Sequence, residues 1–95
     1  MNKYEIMFII RPNLEDDARS TLLENVKNIL TANNGTVDNV NEWGLRDFAY
    51  EIKDFTKGYY VVMTVNSSIE AKNEFDRLAG ISEDVIRYIA IKEEE

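Results

Sequence analysis

The sequence predicts a single α+β domain of four β-strands and two α-helices, and three observations support that prediction. The chain has 95 residues, the size of one small domain. Apolar side chains recur at helical spacing on one predicted face, at Ala18, Leu22, Val26, Ile29 and Leu30. Residues 3–10 place Tyr4, Ile6, Phe8 and Ile10 on one face of a strand, and residues 43–65 are rich in Tyr, Val and Phe, as is typical of β-strands.

The first strand is predicted at Lys3–Ile10 and the first helix follows it. Pro12 ends the strand, because proline has no N–H to donate to a neighbouring strand. Asn13 is the predicted N-cap of the helix. Asn34-Gly35 is its predicted end, since both residues tolerate a left-handed backbone.

The middle of the chain predicts two further strands joined as a hairpin. The second strand runs from Thr36 to Ile52, with an irregularity at Trp43-Gly44, because glycine inside a strand often marks a β-bulge. A polar connection, Lys53–Lys57, leads into the third strand at Gly58–Val65. This third strand is apolar on both alternating faces, which favours a central place in a sheet.

The last third of the chain predicts a helix and a strand. Ser67-x-x-Glu70 has the pattern of a capping box, and Gly80 is the predicted helix end. The predicted buried face of this helix consists of Ala71, Phe75, Leu78 and Ala79. The final strand is predicted at Val85–Lys92, with an acidic tail at residues 93–95.

The element order strand, helix, strand, strand, helix, strand predicts a ferredoxin-like split βαβ fold over residues 1–92. Right-handed crossovers would place both helices on one face of a four-stranded antiparallel sheet. The first and third strands would form the central pair, and the other face of the sheet would be open.

Composition argues against catalysis. The chain contains neither cysteine nor histidine, so it lacks a thiol nucleophile, the commonest general base and the commonest metal ligand. The carboxylate pairs Asp16/Asp17 and Glu83/Asp84 lie where helix and turn starts account for them. We therefore predict no enzymatic activity, no cofactor and no metal. No apolar run approaches the roughly 20 residues of a membrane span, and a cytoplasmic location is predicted.

The open face is the main functional signal, because each central strand keeps an apolar set of side chains that the helices cannot cover. The predicted partner-protein face consists of Met7, Ile9, Tyr60, Val62, Ile89 and Ile91. An apolar patch of that size usually marks an interaction site. The alternative is that a long side chain or the tail folds across it.

Nucleic-acid binding has two supports and one objection. Residues 57–64 partly match the RNP1 motif of RNA-recognition domains, although Val61 and Thr64 replace the later stacking aromatics. The candidate RNA-binding residues are Arg46, Lys53 and Lys57 on the central hairpin, with Lys3, Arg87 and Lys92 as second choices. The alternative is that these are ordinary solvated charges. The objection is the net charge of −7, which suits a basic partner better than naked RNA.

Four motifs resemble one known family. They are the opening Lys3-Tyr4-Glu5, then Arg11-Pro12-Asn13-Leu14, then residues 42–52 (EWGLRDFAYEI), then Lys57-Gly58-Tyr59-Tyr60. Together they resemble the bacterial small-subunit ribosomal protein S6 family over essentially the whole domain. One departure is Asp47, which follows Arg46 where family members can carry a second basic residue.

The resemblance implies a ferredoxin-like fold and a structural role in the platform of the small ribosomal subunit. It also implies binding to the central domain of the small-subunit ribosomal RNA jointly with the basic ribosomal protein S18. Carried onto this chain, Arg46 is the first candidate for a phosphate contact, and Trp43 and Tyr50 are candidates to pack on sugar or partner, with core or rim packing as their alternative. The competing hypothesis is a homodimeric interaction or regulatory module that binds no RNA.

Overall fold

The computed structural model describes residues 2–93, except for the side chain of Asn33. In chain order it contains β1 (Asn2–Ile10), α1 (Asp16–Leu30), a 3-10 turn (Ala32–Asn34), β2 (Thr36–Ile52), β3 (Phe55–Ser67), α2 (Ile69–Ile81) and β4 (Val85–Lys92). Glu94 and Glu95 of the predicted tail lie outside the described residues. The Glu93 N–H donates to the Lys3 carbonyl at 2.8 Å, which continues the pairing of β4 with β1 by one bond.

The four strands form one antiparallel sheet in the order β2-β3-β1-β4. The predicted fold class and the central position of β1 and β3 are thereby confirmed. Neither helix of the described chain is long and apolar enough to cross a membrane.

One face of the sheet packs against both helices, and the core lies between them. Tyr4, Ile6, Phe8 and Ile10 alternate along β1 on this face and are almost completely buried. Val61, Met63 and Val65 of β3 continue the same layer. The helices contribute Leu22, Leu23, Val26, Leu30, Phe75 and Ala79. Ala18 is exposed and Leu23 is buried, so the predicted stripe of α1 was wrong at its first position and missed one core residue.

Both predicted helix N-caps were wrong. Helix α1 is preceded by Glu15, with no side-chain cap, while Asn13 accepts a hydrogen bond from Arg11 instead. Helix α2 is capped by Ser68, whose hydroxyl accepts from the Ala71 N–H at 3.1 Å. Ser67 is completely buried and donates to the Leu30 carbonyl at 2.9 Å, which ties the end of β3 to the end of α1.

The β2–β3 connection is shorter than the sequence predicts. Lys53 and Asp54 have φ of 50° and 68°, and Ile52 pairs with Phe55, so the loop has two residues. Two consecutive residues with positive φ are the pattern of the type I′ turn that best matches the twist of a hairpin. Residues 55–57, predicted as loop, therefore belong to β3.

Candidate protein and nucleic-acid interface

The open face of the sheet carries all six residues of the predicted partner-protein face. Across the strands, Tyr60 pairs with Ile9, and Ile9 with Arg87; on the next row Val62 pairs with Met7, and Met7 with Ile89. The six residues differ in exposure: Ile9 is only 6 % exposed, whereas Ile89 and Ile91 are 45 % and 51 % exposed. Among these six residues, the exposed apolar surface therefore lies mainly towards the β4 edge.

Part of the hairpin curls over this face and forms a groove. Between Asp47 and Ile52 the β2–β3 register shifts, so that residues 48–51 face a single residue of β3, Thr56. Phe48 lies next to Gly58 beside Ile9, and this packing accounts for the burial of Ile9. The groove has a volume of about 610 Å³ and is lined chiefly by Met7, Phe48, Tyr50, Tyr60, Arg87 and Ile89. One end of the face is therefore covered by the hairpin, a cover that the sequence analysis did not predict.

A β-bulge in β2 brings Trp43 onto the open face. The register shifts between Glu42 and Gly44, which leaves Trp43 as the extra residue, and Gly44 has φ of +82°. A Cβ at Gly44 would meet no atom within 4 Å, so glycine is required there for its backbone conformation and not for space. The predicted irregularity at Trp43-Gly44 is confirmed.

Three aromatic rings meet at this bulge. The rings of Trp43 and Tyr60 are stacked, with centroids 6.0 Å apart and an interplanar angle of 6°. Phe48 contacts the same Tyr60 ring at 6.2 Å and 58°. The sequence analysis named Trp43 as a candidate to pack on sugar or partner, but it did not predict that Trp43 stacks on Tyr60. The signal that could have found it was the glycine directly after Trp43 in a predicted strand.

Contacts on the helix-facing side hold the bulge in place. The Tyr59 hydroxyl donates to Glu42 at 3.0 Å, and the Arg19 guanidinium lies 4.2 Å from the centre of the Tyr59 ring. Burial and the Glu42 carboxylate raise the pKa of Tyr59, while Arg19 opposes that shift. These contacts keep the Glu42 side chain on the helix-facing side of the sheet. Trp43 therefore lies on the open face without the carboxylate of the preceding residue beside it.

The ion pairs divide the basic residues into two groups. The chain has 11 lysines and arginines, and within residues 2–93 five of them lie within 4.0 Å of a carboxylate: Arg11, Arg19, Lys27, Lys72 and Arg77. The six that form no such pair in this part of the chain are Lys3, Arg46, Lys53, Lys57, Arg87 and Lys92. These are the six candidate RNA-binding residues. A cation without an internal carboxylate partner can contact a phosphate without first breaking an ion pair.

The six cations do not form one cluster. Arg46, Lys53, Lys57 and Arg87 lie at the hairpin end of the sheet, whereas Lys3 and Lys92 lie at the other end, about 20 Å away along β1. Arg46 and Arg87 flank the open face on its two edge strands, separated by about 14 Å across three strand spacings. The hairpin end therefore combines aromatic rings, apolar side chains and positive charge.

The fold and the site define a small, open-faced α+β protein whose exposed surface is suited to binding. Residues 2–93 contain no cluster of His, Cys, Asp or Glu side chains that could hold a metal ion. The family model for ribosomal protein S6 matches residues 3–92, and the chain belongs to this family. It is a ribosomal protein of the small subunit, and the prediction that it is not an enzyme is confirmed.

Among solved structures, the chain is similar to the crystal structure of 30S ribosomal protein S6 from Thermotoga maritima. The TM-score is 0.89 at 34 % sequence identity, and the match covers 97 % of this chain and 87 % of that one.

Proposed function

We propose that the chain binds the central domain of small-subunit ribosomal RNA together with ribosomal protein S18, as a cytoplasmic structural constituent of the subunit platform. The observation that carries this proposal is the open face, where an apolar groove lies between two edge arginines, Arg46 and Arg87. Family membership supplies the ribosomal context.

The two kinds of surface suit two different partners. The apolar part of the open face offers burial to a protein, and the net charge of −7 favours a basic one. The six cations that form no ion pair within residues 2–93 offer phosphate contacts. Because the whole chain is acidic, those contacts are useful mainly after a basic partner has supplied the long-range attraction to RNA.

The test is to measure binding of a central-domain RNA fragment by this chain, by S18, and by the pair. We expect the chain alone to bind weakly at physiological salt and the pair to bind cooperatively, because each bound component lowers the ordering cost for the next. Light scattering of the isolated chain should show a monomer. A stable homodimer whose RNA affinity is unchanged by S18 would contradict the proposal and favour the RNA-free module.

Replacing Arg46 by Ala is expected to weaken RNA binding by the heterodimer by about 1–2 kcal/mol and to reduce the salt-dependence slope by about one, because one phosphate contact is lost. Affinity for S18 should not change. The measurement is RNA affinity against salt concentration. Arg77→Ala is the matched control: it removes the same charge from helix α2, where Arg77 pairs with Glu74. Equal effects of the two substitutions would show that only net charge matters and that Arg46 makes no local contact.

A further inference from the structure

We propose that Trp43, Tyr60 and Arg46 form a stacking site for one unpaired nucleobase of RNA, with Arg46 contacting the adjoining phosphate. The proposal rests on RNA binding by the chain, and it specifies where and how a base is held. Single-stranded bases are commonly recognised by stacking on aromatic side chains combined with cationic contacts to the backbone.

The aromatic surface is already assembled in the protein. Tyr60 contacts Phe48 as well as Trp43, so its ring is held in a fixed orientation. Trp43 stacks on Tyr60 with nearly parallel rings, yet the residue remains 49 % exposed. The indole therefore presents its second face to solvent. A base stacking there would find the surface in place, and little conformational entropy would be lost in forming it.

Arg46 lies at the right position for the phosphate. Gly44 pairs with Tyr60, and Arg46 pairs with Gly58. Arg46 therefore lies two residues, about 7 Å, beyond Gly44 along β2, and its side chain points to the same face of the sheet. Trp43, Arg46 and Tyr60 border one shallow depression of the surface. Within residues 2–93, Arg46 has no carboxylate within 4.0 Å, so its guanidinium is available to an incoming anion.

Charge complementarity favours a nucleotide over a segment of a basic protein at this point. A lysine- or arginine-rich peptide would approach the Arg46 guanidinium at a cost in like-charge repulsion, whereas a phosphate is attracted to it.

The partial RNP1 match predicts stacking residues on β3, whereas the site proposed here is built around the bulge of β2. Val61 is completely buried beneath the helices and cannot contact a base. The exposed stacking surface comes instead from the bulge of the neighbouring strand. The loss of the β3 aromatics therefore does not remove base stacking from this face.

Trp43 is the only tryptophan in the chain, so its fluorescence reports directly on the site. We would titrate the full chain with a short oligoadenylate and with an abasic oligomer of equal length and charge. The titration is best done near 0.15 M salt, where the Debye length of about 8 Å screens much of the general repulsion. Quenching by the oligoadenylate but not by the abasic oligomer is expected, and equal quenching by both would overturn the proposal.

A second measurement uses the heterodimer with S18 and the central-domain RNA fragment. Trp43→Ala should weaken RNA binding about tenfold, while Trp43→Phe, which keeps an aromatic face, should recover most of the affinity. Both variants should remain folded, as judged by circular dichroism, and should keep the wild-type S18 affinity. An unchanged RNA affinity for Trp43→Ala would overturn the proposal, and so would a loss confined to S18 binding, which would assign the ring to the protein partner.

The two proposals fail in different ways. If the wild-type heterodimer binds the RNA fragment tightly and Trp43→Ala binds equally well, the stacking site is wrong and the proposed function stands. If base-dependent quenching is seen but the pair does not bind the fragment, the site stands and the ribosomal RNA assignment fails.

Discussion

Replacing Phe75 by Ala is expected to lower the free energy of unfolding by about 3–5 kcal/mol, the usual cost of removing a buried phenylalanine. Phe75 is completely buried, and its ring lies 6.0 Å from the rings of both Phe8 and Tyr88. These contacts join helix α2 to β1 and β4. Since small domains are stable by only about 5–15 kcal/mol, the loss would be a large part of the total.

Denaturant titration measures this effect, and the m-value should stay constant if the unfolding remains two-state. Ile81→Ala on the same helix is the matched control, because Ile81 is 67 % exposed and should change stability by no more than about 0.5 kcal/mol. A change below about 1 kcal/mol for Phe75→Ala would mean that α2 does not pack on the sheet as described.

The core and topology could be predicted from the sequence because they depend on regular periodicity. The alternation of Ile6, Phe8 and Ile10 on β1 and the helical spacing around Phe75 each select a single buried face. The cap of α2 was mispredicted for a related reason. Ser67 has the same alternation as Val65 and therefore points into the core, where it bonds to the Leu30 carbonyl. The next serine is then left to cap the helix.

The candidate site was less predictable because bulges break the alternation. Before the bulge, Asn41 of β2 pairs with Val62 of the open face, whereas after it Gly44 pairs with Tyr60 and Arg46 with Gly58. The extra residue changes which side chains point to the open face. The last register shift of the β2–β3 pair, over residues 48–51, forms the groove and buries Ile9. Residue preferences alone do not determine how many residues each of these shifts inserts.

Replacing Ile89 by Asp is expected to weaken S18 binding by at least about a hundredfold while leaving the chain folded. If S18 covers the β4 edge of the open face, the substitution would leave a carboxylate buried without a partner, at a cost of about 3–5 kcal/mol. In the isolated chain Ile89 is 45 % exposed on an edge strand, so an aspartate there would remain solvated. The free energy of unfolding should therefore fall only by the difference in β-propensity between isoleucine and aspartate, about 1 kcal/mol.

The measurement is heterodimer affinity together with the unfolding midpoint of the isolated variant. Ile81→Asp is the matched control, because it makes the same substitution at an exposed isoleucine on helix α2, away from the open face. We expect Ile81→Asp to bind S18 as the wild type does. If Ile89→Asp is folded and still forms the heterodimer, the partner binds elsewhere and the apolar edge of the sheet needs another occupant. If Ile89→Asp abolishes a homodimer instead, the open faces of two wild-type copies pair with each other. Each copy then buries the apolar surface of the other.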